Sequence, residues 1–139
     1  MSFTFQISIL NIYNKGVHVV IVTFSNQTQL IRDVIAISFP PDTSAEIIVR
    51  GLDGTWLYDG SGSNEGKQGH IASACEELNM KYGSNGQVSR RSTILIDDEC
   101  ENVEAALKAE TNAILFNSFE PEIELINSLL MLPKVGFSR

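Results

Sequence analysis

The stretch that most limits the fold is residues 92–116, STILIDDECENVEAALKAETNAILF. A short apolar run, Thr93-Ile94-Leu95-Ile96, leads into two adjacent carboxylates, Asp97 and Asp98. A helical pattern follows directly: Val103, Ala106 and Leu107 fall at i, i+3 and i+4 and share one face. Glu104 and Lys108 stand at i and i+4 on another face, in the favoured order for a helix ion pair. A second apolar run, residues 113–116, comes next. Strand, helix, strand is the unit from which parallel sheets are built, because parallel neighbours need a long crossover.

In sheets of this kind ligands bind beyond the carboxyl ends of the strands. Asp97 and Asp98 stand at that spot. Two like charges side by side raise each other's pKa unless a cation is near, and hard oxygen donors in a crevice suit Mg²⁺. A second reading stands beside this one. Asp98 with Glu101 three residues later also reads as an N-cap and capping box. The two are compatible if one carboxylate caps and the other faces the crevice.

The rest of the chain fits one domain with a real core, residues 1–139. In residues 1–13 a strand alternation competes with a helical stripe of Phe5, Ile9, Ile12 and Tyr13. Only residues 11–16 separate this segment from VHVVIVT, residues 17–23, which reads as a buried parallel strand. That gap is too short for a parallel crossover, which favours a helix ending near Asn14 with Gly16 close to its C-cap. Residues 27–35 read as a helix with Leu30, Ile31 and Val34 on its buried face. Thr23 then stands at a strand's carboxyl end, and Ser25 and Asn26 are candidate caps. Pro40 and Pro41 end that region. Residues 46–49 and 55–58 read as strands around the turn dipeptide Asp53-Gly54, so residues 39–66 form a hairpin and loop insertion. Residues 59–66, DGSGSNEG, match neither a dinucleotide-binding loop nor a phosphate loop in their glycine spacing.

Lys67 opens a helix whose core stripe is Ile71, Ala74, Cys75 and Leu78. A cation there opposes the helix macrodipole, which makes sense if an anion binds alongside it. The alternative is an exposed lysine in a solvated loop. After a polar connection, residues 81–91, and the organising unit, Pro121 begins a last helix that runs to about Leu130. Net charge is −7, from 17 acids and 10 bases, which argues against non-specific binding to nucleic acid or anionic membranes. Cys75 and Cys100 lack disulfide-scaffold or zinc spacing and read as reduced, buried thiols. The chain has no apolar run of membrane-spanning length and no signal-peptide pattern at its start. The expected location is cytoplasmic.

Three of these features, in order, resemble the haloacid dehalogenase-like hydrolases. VVIVTFSNQ, residues 19–27, resembles that family's second motif, a Thr or Ser at a strand end. Lys67 before the helix HIASACEEL resembles the third. ILIDDECENVEAA, followed by NAILF, resembles the fourth, in a paired-acid variant. The resemblance implies an α/β fold: a three-layer, Rossmann-like, mostly parallel sheet with helices on both faces. It also implies Mg²⁺-dependent phosphoryl transfer of the phosphatase type. By that likeness Thr23, Ser25, Asn26 and Lys67 bind phosphate, with Thr23 and Lys67 as the catalytic pair. Asp98 binds Mg²⁺ directly and Asp97 supports the metal's surroundings.

The family's first motif, Asp-x-Asp-x-Thr after a hydrophobic strand, carries the nucleophile. It should precede Thr23, but residues 1–17 contain no Asp. The expectation is therefore a truncated hydrolase, inactive as given, that lacks the family's first central strand. The alternative is a non-catalytic domain binding phosphate and Mg²⁺, or another protein, on the same scaffold. The implied partners are a phosphorylated small molecule or a phosphoprotein. A second copy joined by strand exchange is a further expectation, since the lost strand would leave sheet edges open.

Overall fold

The computed structural model describes residues 13–83 and 87–116. Its elements run β1 (Val20–Val22), α1 (Thr28–Ser38), α2 (Pro41–Glu46), β2 (Ile48–Arg50), α3 (Gln68–Tyr82), a 3₁₀ turn (Arg90–Ser92), β3 (Ile94–Asp97), α4 (Cys100–Lys108) and β4 (Asn112–Leu115). The class is mixed α/β.

The unit around Asp97 forms as the pattern predicts. β3 and β4 are parallel, with Ile94 opposite Asn112 and Asp97 opposite Leu115, and α4 is the crossover. The helix turns into β4 through Glu110, which takes a left-handed φ of 62°. The buried face of α4 is Asn102, Val103, Ala105 and Ala106, whereas Leu107 is exposed. The stripe is thus rotated from the expected one, because α4 lies flat over β3 and β4 and needs small residues there. The expected Glu104–Lys108 pair gives way to a contact between Cys100 Sγ and Glu104 at 3.5 Å. Cys100 is exposed, unlike buried Cys75, so only one thiol is a core residue.

The first half departs further from expectation. β2 pairs parallel with β1, Val20 opposite Ile48 and Val22 opposite Arg50, and residues 55–58 form no strand. The expected hairpin around Asp53-Gly54 does not exist. Residues 23–47 supply a crossover of two helices, long enough for a parallel pair. Pro41 begins α2 at the first helical position, where its missing N–H costs nothing, instead of ending a region. Asp53 caps a local turn through its side chain: Oδ1 accepts from the backbone N–H of Thr55 at 3.0 Å and from its hydroxyl at 2.6 Å, while Oδ2 accepts from the Thr28 hydroxyl.

In α1 the inward face is Thr28, Ile31 and Ile35, continued by Phe39, and it packs with Ile47 and Val49. Leu30 and Val34, expected inside, are exposed. Both stripes satisfy helical spacing, and the seat of β1 and β2 selects between them. Ser25 and Asn26 do not cap α1. Its N-cap is Gln27, whose backbone N–H donates to Ser25 Oγ at 3.0 Å.

The helix α3 joins the two halves. Residues 68–75 are all buried, and the expected stripe of Ile71, Ala74, Cys75 and Leu78 lies in the core. Ile71 and Cys75 pack with Leu95 and Ala106, while Ala74 and Leu78 pack with Ile48. Among the described residues β1 and β3 are not hydrogen-bonded to each other, so each strand of the two pairs keeps one edge unpaired. At the chain's start, Tyr13 and Asn14 are helical and Gly16, at φ 87°, donates to Tyr13 O at 3.0 Å, as the C-cap reading required. The rest of that expected helix, and the one from Pro121, lie outside the described residues. No helix among them is long and apolar enough to cross a membrane.

Candidate functional site

The carboxyl ends of β1 and β3 and the start of α3 converge. Asp97 closes β3 and is 5% exposed. Its Oδ2 accepts from Lys67 Nζ at 2.6 Å. Its Oδ1 accepts from the backbone N–H of Glu99 at 2.9 Å, and Asn102 Nδ2 donates to both oxygens at 3.3 and 3.4 Å. Burial by itself pushes the Asp97 carboxyl up, but the bonds from Lys67, Glu99 and Asn102 outweigh it and hold the pKa below its ordinary value. The anion that a cation at the head of α3 calls for is thus supplied by the protein itself.

Asp98, one residue on, faces outward. It is exposed and makes no hydrogen bond or ion pair with another described residue. The expected capping box with Glu101 is absent: the N-cap of α4 is Glu99, with no side-chain cap. The local carboxylate bond to backbone comes from Asp97 instead. The two acids are therefore unequal, one buried and fully engaged, the other open.

Thr23 follows β1, and its N–H extends the ladder to Arg50 O at 2.9 Å. Its Oγ1 accepts from Ser25 N at 3.1 Å, and Ser25 Oγ accepts from Gln27 N. Both hydroxyls are used as acceptors, which leaves both O–H groups free to donate to an anion. Asn26 is exposed on the same turn. Phe24 carries the turn over to α3, where Lys67 Nζ stands 5.7 Å from its ring centre. His70, one turn along α3, meets the same ring edge-on at 5.4 Å. Burial lowers the pKa of His70, the nearby Thr23 backbone raises it and the Lys67 charge lowers it again, with the net direction downward.

Of the residues read from the sequence, Lys67 and Asp97 meet directly, Thr23 and Ser25 sit on the adjoining turn, and Asp98 lies beside Asp97 in chain order. Sequence reasoning missed Asn102, Phe24 and His70. Asn102 stands where the first turn of α4 passes back over Asp97. His70 is three residues from Lys67, so the two share a helix face; that spacing was a readable signal. Among the described residues no group of three or more His, Cys, Asp or Glu side chains is placed to hold a metal ion. Of the two carboxylates read from the sequence as Mg²⁺ ligands, Asp97 has both oxygens engaged and only Asp98 is open. Compared with known proteins, the chain matches no family model, no curated protein and no solved structure.

Proposed function

We propose that this chain binds a phosphate group together with Mg²⁺ near the carboxyl ends of β1 and β3, on a phosphoryl-transfer scaffold of the haloacid dehalogenase-like, three-layer type. The observation that carries the reading is the Lys67–Asp97 contact at 2.6 Å beside the Thr23 turn. It brings together residues 30 positions apart in the chain. Thr23 and Ser25 donate their hydroxyl protons to phosphate oxygens, Asn26 adds its amide, and Lys67 neutralises charge. Asp98 offers the open carboxylate to the metal. Asp97, already held on three sides, orients Lys67 and the start of α4. Bound Mg²⁺ would offset charge on the phosphate oxygens.

Thr23 and Lys67 would be the catalytic pair of a complete hydrolase. No Asp precedes Thr23 in this sequence, so these residues alone make no aspartyl-phosphate, and binding is the function they support by themselves. Among the described residues the facing edges of β1 and β3 are unpaired, which favours a second component, a strand entering between them from a partner or from a second copy. Calorimetric titration with MgCl₂ and inorganic phosphate tests the binding reading. Millimolar or tighter binding that Lys67→Ala and Asp98→Asn each abolish is expected; no heat from the unaltered protein would end it. Adding a peptide of the form hydrophobic strand–Asp-x-Asp-x-Thr then separates the two readings. Hydrolysis of p-nitrophenyl phosphate that appears only with the peptide favours the hydrolase, and continued silence favours the binding domain.

A further inference from the structure

A cleft of about 530 Å³ opens beside Phe24, and it belongs to no part of the phosphate reading. Its walls are Phe24, Trp56, Tyr58 and His70. Trp56 meets His70 at 4.6 Å with a tilt of 59°, and Phe24 meets the same imidazole at 80°, so the rings build a corner and do not stack into a closed core. Much of this surface is exposed: Phe24 44%, Leu52 56% and Leu57 80%. Apolar area of this kind, gathered around one cleft, marks a binding surface more often than a scattered surface leucine does.

The corner is held in place. The Trp56 indole N–H donates to Gly51 O at 2.6 Å, and the Tyr58 hydroxyl donates to Ser61 O. Arg90 lies 5.8 Å from the Tyr58 ring centre and donates to Ser63 O at 2.7 Å, which pins the loop that carries this wall. Gly51 admits no side chain, because a Cβ there would stand 2.4 Å from Thr28 Cγ2 and 2.5 Å from Ser25 O. The rings are therefore set before any ligand arrives, which lowers the cost of binding.

The lining contains no charged side chain. His70 is 5% exposed, and its Nε2 is a buried atom with no hydrogen-bond partner. A buried nitrogen left unpaired is costly, and an entering group with a polar edge would supply the missing bond. Asn64 is another polar side chain in the lining. Two cations come near it, the Lys67 ammonium at the Phe24 end and the Arg90 guanidinium beside Tyr58, which already donates to Ser63 O.

We infer that this cleft binds a flat, neutral heteroaromatic ring of nucleobase size, seated against Phe24 and Trp56, with any phosphate attached to it directed toward Lys67. The ring site rests on the cleft alone; the direction of the phosphate rests on the reading of Lys67 above. The volume lies within the range of small-molecule sites, and stacking on aromatic side chains tolerates any base because every base has a π-face.

Trp56 is the single tryptophan of the chain, so its fluorescence reports the cleft directly. Titration with adenosine is expected to quench it saturably, and Phe24→Ala to weaken that binding about tenfold, in line with the loss of one stacking partner, with an unchanged melting temperature. Adenosine 5′-monophosphate is expected to bind at least fivefold more tightly than adenosine, and Lys67→Ala to erase that difference. No saturable response to adenosine overturns the proposal, even if inorganic phosphate binds. Adenosine binding with no gain from the phosphate keeps the ring site and removes its link to Lys67. Adenosine binding that Phe24→Ala leaves unchanged places the ring elsewhere and overturns the assignment.

Discussion

Each parallel strand pair is tied to α3 by one ion pair, and the two ties differ in burial. On the β3 side Lys67 meets Asp97, with side chains 15% and 2% exposed. On the β2 side Arg50 meets Glu77 at 2.9 Å, with side chains 13% and 39% exposed, and also donates to Ser73 Oγ at 3.0 Å. The first tie is buried at its acid end, where further donors ring Asp97. The second is open at its acid end. The same chemistry therefore works differently: a buried pair is costly to break because the surviving charge has no solvent, whereas a half-exposed pair hands its partner back to water.

The largest break comes from Asp97→Asn, which leaves Lys67 without its anion. Urea unfolding should show a loss of about 3 kcal/mol. The same variant should change the acid limb. Because the folded Asp97 carboxyl is held below its ordinary value, its stabilisation is whole above about pH 4 and is lost as pH falls through the folded value. The variant should lack that part of the slope. Equal acid sensitivity in both proteins would show that Asp97 is not the controlling group.

Gly51→Ala attacks the β2 half. Its Cβ would meet the backbone oxygen of Ser25, which cannot rotate away. A loss of about 2 kcal/mol is expected, with the Trp56 emission shifted because its indole bonds the same residue. An unchanged emission maximum would separate the turn from the aromatic corner.

A smaller effect, confined to mild acid, is expected of His70→Phe. The folded pKa of His70 is depressed, so its stabilising contribution is full above about 6.5 and declines as pH falls toward the folded value. The variant should melt at a more constant temperature between pH 7 and 5 than the unaltered chain. Glu77→Gln should cost about 0.5 kcal/mol, since its acid is partly solvated. A cost matching that of Asp97→Asn would erase the contrast between the two ties. The exposed pair Arg91–Glu110, with side chains 76% and 66% exposed, sets the floor: Arg91→Ala should shift stability by no more than a few tenths of a kcal/mol.

The β3–α4–β4 unit was legible because its crossover is short and its helix is the only element between two apolar runs. The β1–β2 pair was not. Its crossover holds two helices, and the second hides in Pro41–Glu46, a segment with too few apolar residues to show a period. The turn at Asp53-Gly54 was read as a hairpin because the dipeptide favours one. Its carboxylate is instead engaged by Thr28 and Thr55, which pull its pKa down to about 2. At the site, Lys67 and the acid pair were visible as types and positions. The unequal roles of Asp97 and Asp98 were not, since both share one spacing and only the path of the chain after β3 turns one inward.

What the sequence determined by itself is local: where strands and helices start, which glycine closes the turn at residue 16, and which charged residues stand at element ends. These follow from periodicity and backbone stereochemistry within a few residues. Tertiary structure alone decided which of two valid stripes on α1 is buried, that β2 runs parallel to β1, and that Lys67 spends its charge on Asp97. Each of those choices depends on apolar burial and charge pairing between segments tens of residues apart, where no local spacing carries the information.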